Sequence, residues 1–241
     1  MAGIQTVFER YEKKYLLTPA QYIVLREAIQ GHMREDDYGK YRICNLYYDT
    51  PDYQLIRASL DGPVYKEKLR LRSYGVPAPE DAVFLELKKK FQGVVYKRRA
   101  VMTLPQVQAY LRDGVRPQQD GQILDEIDWF RAFYHPEARV FIGYDRTALT
   151  GIEDDGLRVT FDTNLRWRDT VLDLAKGDWG APFSTDGSVL MEAKLPGAMP
   201  LWLAQILGEL RVYPTSFSKY GACYQRFLSK KLTGLGGLNC A

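Results

Sequence analysis

The sequence is poor in the residues that build many catalytic centres. It contains 3 cysteines and 2 histidines among 241 residues. Cys44, Cys223 and Cys240 are scattered without metal-ligand spacing, which is typical of free thiols in a reducing compartment. His32 lies in a predicted helix and His135 precedes a proline, so we interpret both as structural. The sequence therefore gives no sign of a Ser-His-Asp triad.

Long hydrophobic runs are also missing. No stretch approaches the roughly 20 apolar residues of a membrane span, and no signal-peptide pattern follows Met1. We therefore expect a cytoplasmic protein that would reach the inner face of a membrane only through a separately encoded integral membrane partner. The 33 basic and 30 acidic residues nearly balance, so a positive functional site has to arise from placement rather than from excess.

What the sequence does contain is strands with one charged face and one apolar face. The clearest is VYKEKLRLR, residues 64–72. Because side chains alternate along a strand, Lys68 and Arg70 point to one side while Leu69 and Leu71 point to the other. A single cationic strand is usually solvated surface, so its interpretation depends on how many other strands repeat the pattern.

The same split recurs along the chain, at residues 7–17, 84–90, 94–102, 139–147, 157–162 and 189–195. The polar faces are rich in Arg and poor in Ser, Thr and Asn, and the apolar faces have helices available to cover them. Helical patterns begin at Thr18, Leu104, Ile123, Pro200 and Ser218. We therefore predict an α+β fold with a closed antiparallel β-barrel, a charged, water-filled lumen and helices packed outside.

A lumen of this kind predicts an anionic ligand. Crowding about ten cations together costs self-repulsion, which a polyanion would offset because buried Arg makes bidentate bonds to phosphate oxygens. Glu12, Glu86 and Glu192 stand isolated among the cations. Each is either an ion-pair partner or a ligand for Mg²⁺ or Mn²⁺, since these ions favour one or two carboxylates plus substrate phosphates.

Nine segments, in order, resemble the VTC domain of polyphosphate polymerases, a branch of the triphosphate tunnel fold. They are RYEKKY (10–15), LYYDTPD (46–52), KLRLR (68–72), LELKKK (85–90), GVVYKRR (93–99), GYDRTAL (143–149), LRVTFDTNLRWR (157–168), MEAKLPGAMPLWL (191–203) and SFSKYGACY (216–224). They span nearly the whole chain. The resemblance implies a single tunnel domain over residues 1–232, and the Gly-rich stretch 233–241 reads as a flexible tail.

The resemblance implies an ATP-dependent polymerase that moves the γ-phosphate of ATP onto a growing polyphosphate chain inside the tunnel. The residues predicted to act on the reacting phosphates are Lys68, Arg70, Arg72, Arg146, Arg158 and Lys219. Further matching phosphate contacts are Lys14, Lys88, Lys97 and Lys194, and the matching metal ligand is Glu192. Phosphoryl transfer needs charge neutralisation and alignment more than a protein nucleophile, so the absence of a triad is consistent with this chemistry.

Neighbouring residues complete the predicted site. The additional substrate-binding candidates are Arg10, Lys90, Arg99, Tyr144 and Ser218, and the additional metal candidates are Glu12 and Glu86. Ser216 or Ser218 would cap the final helix, so that its N-terminus and Lys219 would present positive charge to one anion. The expected ligands are thus ATP, polyphosphate, and Mn²⁺ or Mg²⁺.

Two other functions stay open. One is a metal-dependent tripolyphosphatase or nucleoside triphosphatase, whose family members resemble one another in a Glu-x-Glu-x-Lys first strand. Here the equivalent residues are Arg10, Glu12 and Lys14, so a base replaces one acid, which favours the polymerase. The other is a non-catalytic polyphosphate-binding module, which would have less need of Glu192. Nucleic acid is not an expected partner, because a closed lumen excludes a duplex.

Overall fold

A computed structural model describes residues 11–92, 94–118 and 121–231. The elements, in order, are β1 (Tyr11–Leu17), α1 (Pro19–Ala28), β2 (Met33–Asp49), α2 (Gln54–Leu60), β3 (Tyr65–Tyr74), β4 (Ala82–Phe91), β5 (Val94–Thr103), α3 (Leu104–Asp113), α4 (Gln122–Tyr134), β6 (Glu137–Gly151), β7 (Arg158–Arg168), β8 (Ala181–Pro182), β9 (Val189–Leu195), α5 (Leu201–Glu209) and α6 (Lys219–Cys223). A 3₁₀ turn covers Leu174–Lys176, and a π-helix, Tyr224–Leu228, continues α6. The α+β class is as predicted. In this part of the chain no helix combines the length and apolar character that crossing a membrane requires.

The strands form a sheet in the order β1-β9-β7-β6-β2-β3-β4-β5, and β8 pairs with β7. The order ends at β1 and β5, and no pairing among the described residues joins these two strands. The predicted closure of the barrel is therefore not found, and the sheet is open. Closure requires two neighbours for every strand, whereas within residues 11–92, 94–118 and 121–231 β1 pairs only with β9 and β5 only with β4.

The chain divides into two compact units. The first unit comprises the described residues within 1–41, 144–165 and 184–217, and the second unit those within 42–143, 166–183 and 218–241. Each unit has its own apolar core. The predicted tail, residues 233–241, lies outside the described residues.

In the second unit, α3 and α4 cover the apolar side of β3, β4 and β5. Leu69, Leu85 and Leu87 are fully buried there and pack in one cluster with Val107 and Ile127 of the helices. The two-residue alternation of these strands puts the charged residues that stand next to these leucines in the sequence on the other side of the sheet. The sequence-based division of the VYKEKLRLR strand into a cationic face and an apolar face is therefore confirmed.

In the first unit, α1 and α5 pack on β1, β7 and β9, with Leu25, Leu203 and Met191 in one buried cluster. The start of α1 is fixed by the capping box that the sequence predicts. The Thr18 hydroxyl accepts from Gln21 N at 3.2 Å, and Gln21 Oε1 accepts from Thr18 N at 3.0 Å. This exchange satisfies two backbone donors that the first helical turn would otherwise leave unpaired.

Helix α2 was not predicted from the sequence. Its N-cap, Tyr53, has a left-handed backbone with φ of 62° and makes no side-chain cap. Instead the buried carboxylate of Asp49 accepts from Leu55 N at 2.9 Å and from Ile56 N at 3.0 Å, and it also accepts from the Tyr220 hydroxyl at 2.8 Å. An ordinary N-cap residue binds backbone N–H groups two or three positions later in the chain. Asp49 lies six and seven positions before the groups that it binds, so the sequence pattern for a helix start does not reveal it.

Truncating Leu69 tests whether this face of β3 is core. We expect Leu69→Ala to lower the free energy of unfolding by about 2–5 kcal/mol, because a fully buried leucine leaves a cavity. The control is Val64→Ala, just before β3, where the side chain is 65% exposed and the change should stay within about 0.5 kcal/mol. Urea denaturation followed by circular dichroism measures both, and equal losses would contradict the assignment of this face to the core.

Candidate functional site

The antiparallel register of β2 to β5 aligns the predicted site residues in rows. Tyr47 lies opposite Arg70, Arg70 opposite Glu86, and Glu86 opposite Arg99. The neighbouring row consists of Lys68, Lys88 and Lys97. Directly opposite residues in a sheet share a face, so five predicted cations from three strands lie together on the side away from α3 and α4.

A buried carboxylate joins these cations in what we call the Glu86 cluster, formed by Arg70, Arg72, Glu86, Lys97 and Arg99. Glu86 is only 1% exposed. Its Oε2 accepts from Arg70 Nε at 2.6 Å and lies 3.8 Å from Arg72 Nε. Its Oε1 lies 2.6 Å from Arg99 Nη2 and 2.9 Å from Lys97 Nζ.

Burial alone would raise the pKa of Glu86, but the attraction of Arg70, Arg72 and Lys97 holds it well below its ordinary value. Glu86 is therefore ionised at neutral pH. With four cations around one carboxylate, the five side chains of the Glu86 cluster carry an excess of three positive charges. Such a cluster is suited to a polyanion.

Lys97 is the titratable cation of this cluster. Burial lowers the pKa of Lys97 to about 8; the neighbouring guanidinium groups act in the same direction, and Glu86 opposes them. An anion bound beside Lys97 would favour its charged form. Its charge, and with it part of the field of the cluster, therefore changes within an accessible pH range.

The remaining predicted residues of the second unit lie in or beside these rows. Lys68 Nζ donates to Ser218 Oγ at 3.1 Å, and the same oxygen caps α6 by accepting from Gly221 N at 3.2 Å. Lys219 is the first residue of that helix. Lys90 is exposed near the end of β4, one row beyond Lys88, and is the predicted contact farthest along β4 from Glu86.

Sequence reasoning missed two residues that hold the arginines. Arg72 Nε donates to the buried Asn45 side chain at 3.0 Å, and Arg70 Nη1 approaches the Tyr47 hydroxyl at 3.5 Å. The Tyr47 ring stacks on Tyr220, with centroids 4.8 Å apart. Burial would raise the pKa of Tyr47, but nearby cations, led by Arg70, outweigh burial and lower it. The alternation that puts Asn45 and Tyr47 on one face of β2 was the available signal.

The first unit contains a second set, the Glu192 cluster, formed by Glu12, Lys14, Arg146, Asp162 and Glu192. Lys14 lies opposite Glu192 in the β1–β9 register. Lys14 Nζ lies 3.3 Å from Glu12 Oε1 and 3.7 Å from Glu192 Oε1, and it donates to the Phe217 carbonyl at 3.1 Å. One ammonium group thus holds two of the predicted metal-binding carboxylates together.

Arg146 is fixed by a residue that received no role from the sequence. Its Nε and Nη2 donate to the two oxygens of the fully buried Asp162 at 2.6 and 2.7 Å. Nη2 also lies 3.4 Å from Glu192 Oε2, and the guanidinium is 5.3 Å from the centre of the Tyr144 ring. Asp162 therefore sets the direction of Arg146, while the contact to Glu192 is long.

The other predicted cations of the first unit occupy the adjacent row. Lys194 lies between Glu12 on β1 and Arg158 on β7. Burial lowers the pKa of Lys194, and Glu192 opposes this shift. Arg158 Nη2 lies 3.4 Å from Asp36. Arg10, the last predicted substrate contact, falls outside the described residues.

The three candidate metal ligands differ in how firmly cations hold them. Contacts of 2.6–2.9 Å with three cations engage both oxygens of Glu86. Glu192 has contacts of 3.4 and 3.7 Å and shares Lys14 with Glu12. Glu12 and Glu192 thus lie beside the same ammonium group, and Mg²⁺ or Mn²⁺ commonly binds one or two carboxylates together with phosphate oxygens. No group of three or more acidic, His or Cys side chains suited to a metal occurs among the described residues.

Comparisons with known proteins agree on the fold. The family profile described as VTC domain matches residues 9–228. No curated protein matches the sequence. A solved structure of a candidate adenylate cyclase from Bacillus halodurans is similar with a TM-score of 0.56 and 14% identity, covering 90% of this chain and 95% of that one. A candidate adenylyl cyclase from Hippeastrum, described as revealing a dominant triphosphatase activity, gives 0.54 and 17%, covering 89% and 94%.

Neutralising Glu86 tests its role as internal counter-ion. We expect Glu86→Gln to lower the free energy of unfolding by about 3 kcal/mol, because its cation partners lose their buried anion. Tripolyphosphate should recover more of the melting temperature in this variant than in the unaltered protein. The matched control is Glu126→Gln, whose carboxylate pairs with Lys89 and Arg98 on the α4 side. Equal recovery in both variants would contradict the proposed role.

The pKa of Lys97 predicts a pH dependence of anion binding. As the pH rises through about 8, Lys97 loses its charge in the anion-free protein, so affinity for tripolyphosphate should fall about tenfold between pH 7 and pH 9. Lys97→Arg keeps a positive charge over this range and should remove the dependence. Isothermal titration calorimetry measures both proteins, and the variant shares any contribution from the titration of the ligand. If the affinity of the unaltered protein and that of Lys97→Arg changed with pH in the same way, Lys97 would not be the group responsible.

Proposed function

Because the chain belongs to the VTC domain family, we propose that it is an ATP-dependent polyphosphate polymerase. The observation that supports this best is the Glu86 cluster, in which arginines and a lysine from β3 and β5 share one face around a single buried carboxylate of β4, the strand between them. Its excess positive charge fits several phosphate groups in a row. The described residues around it supply cations rather than a nucleophile with a partnered base.

In the proposed reaction a terminal phosphate oxygen of the polyphosphate chain attacks the γ-phosphorus of ATP. The bond from the γ-phosphorus to the oxygen shared with the β-phosphate breaks, and ADP leaves with its electron pair. Arg70, Arg72 and Lys97 would neutralise phosphate oxygens, and Glu86 would keep these groups aligned before the substrate arrives. Such preorganised charge is worth more than charge that must reorient during the reaction.

In the first unit, Arg146 would bind phosphate in an orientation set by Asp162. Its Nε and Nη2 are used by Asp162, so Nη1 is the atom we expect to face the ligand. Glu12 and Glu192 would hold Mg²⁺ or Mn²⁺, which when bound would neutralise charge on the phosphate oxygens. Lys14, Arg158 and Lys194 would add positive charge around the same carboxylates.

Hydrolysis is the second candidate. The Hippeastrum neighbour is described by its triphosphatase activity, and the same cations would serve a tripolyphosphatase. The first strand argues against it, because a base occupies position 10, where the triphosphatase pattern has its first acid. A module that binds polyphosphate without turnover is the third candidate.

For each of these three functions we propose residues 1–232 as the functional domain. We also propose a cytoplasmic location and attachment to a membrane only through a separate partner protein.

The deciding experiment incubates the purified protein with ATP and Mn²⁺ and analyses the products by gel. Long acid-labile chains are the expected product. Free phosphate without chains would overturn the polymerase proposal in favour of hydrolysis, and binding without either product would favour the non-catalytic module.

Two variants test the assigned roles. Arg70→Ala and Glu192→Gln should each reduce turnover at least about 100-fold while leaving the circular dichroism spectrum unchanged. The matched control for the first is Arg98→Ala, since Arg98 pairs with Glu126 on the α4 side and its loss should change turnover less than about threefold. Near-normal activity in either test variant would remove that residue from the site.

A further inference from the structure

Glu67, on the helix-covered side of β3, is a buried carboxylate that the proposed function does not use. It is 3% exposed, and the sheet separates its side chain from the Glu86 cluster. The Tyr65 hydroxyl donates to Oε2 at 3.0 Å. The other oxygen, Oε1, is buried and accepts no hydrogen bond from any described residue.

Glu67 also lacks the positive partner that the other buried glutamates have. Glu86 is paired with four cations, and Glu192 is paired with Lys14 and Arg146. Lys89 lies directly opposite Glu67 on β4, but its ammonium pairs with Glu126 at 2.9 Å. No Lys, Arg or His within residues 11–92, 94–118 and 121–231 forms an ion pair with Glu67. A buried ionised carboxylate without a counter-charge is strongly unfavourable.

The Glu67 carboxylate borders a small cavity. It has a volume of about 80 Å³ and is lined by Gln54, Leu55, Ala58, Tyr65, Lys66, Glu67 and Tyr134. Burial and the neighbouring Glu67 raise the pKa of Tyr134 to about 12, so both phenols of the cavity are neutral at physiological pH. Since a water occupies roughly 30 Å³, the space suits one ion with a water molecule.

The ammonium group of Lys66, the lysine that lines the cavity, points elsewhere. Lys66 Nζ donates to the Ser59 carbonyl at 3.1 Å, and burial together with Lys90 lowers the pKa of Lys66. Lys66 therefore lines the cavity without neutralising Glu67. What the cavity offers a ligand is one negative charge and neutral hydroxyl oxygens.

We propose that this cavity binds a monovalent cation of potassium size, with Glu67 supplying the charge and Tyr65 and Tyr134 the neutral oxygen ligands. Hard oxygen donors suit alkali cations. One carboxylate balances one positive charge, whereas protein sites for divalent ions ordinarily gather more carboxylates. The site would fasten α2 and the end of α4 to β3, and it does not depend on the proposed function.

The first test compares melting temperatures in KCl and in tetramethylammonium chloride at equal ionic strength, because the organic cation is too large for the cavity. At ten times its Kd a ligand shifts the folding equilibrium about 11-fold, which for a chain of this size raises the Tm by roughly 3–6 °C. We expect a saturable rise of this order in KCl alone. Equal melting temperatures in both salts would overturn the proposal.

Two variants separate the site from a general salt effect. Glu67→Gln removes the charge, and Ala58→Leu fills the cavity from an exposed position on α2 while keeping the carboxylate. Both should lose the potassium-dependent rise, and an unchanged rise in both would overturn the proposal. If Glu67→Gln fails to fold, Ala58→Leu still decides. In crystals grown with RbCl, an anomalous peak beside Glu67 Oε1 is expected in the unaltered protein, and its absence would count equally against the site.

Discussion

The ion pairing of one buried carboxylate organises the charged face of β3, β4 and β5. Opposite residues on neighbouring strands are only about 5 Å apart, so Arg70, Arg99 and Lys97 would repel one another without Glu86 between them. Glu86 can stay ionised at 1% exposure because these cations surround it. The leucines behind it, buried by α3 and α4, keep the strands in register. The apolar core thus positions an ionic cluster that could not hold its own geometry.

The parts of the fold that local periodicity determines could be predicted from the sequence. Alternation along β3 separated Leu69 from Arg70, and the spacing of Thr18, Pro19 and Gln21 located the start of α1. Each of these features depends on residues a few positions apart. The family resemblance added the order of the segments, and the matching profile confirms the family. The assigned roles of individual site residues stay predictions, because neither family nor fold tests them.

Features that depend on distant partners could not be predicted. Glu86 and Glu192 look alike in the sequence, yet Arg70 Nε lies 2.6 Å from Glu86 whereas Arg146 Nη2 lies 3.4 Å from Glu192. Arg146 is oriented by Asp162, which only the pairing of β6 with β7 brings near. Helix α2 takes its cap from Asp49, outside the usual spacing. Closure of the barrel was inferred from amphipathic strands, but alternation specifies the faces of a sheet and not whether its edges meet.

The short final helix, α6, has a consequence for how the chain can be shortened. The Ser218 hydroxyl accepts a hydrogen bond from the Lys68 ammonium group. The Tyr220 ring stacks on Tyr47, and its hydroxyl donates to Asp49, the residue that caps α2. A protein that stops before Ser218 would therefore lose a lysine partner, an aromatic support and a donor to a helix cap together. The C-terminal segment is as much a part of the charged face as the strands are, although it comes more than a hundred residues after them in the chain.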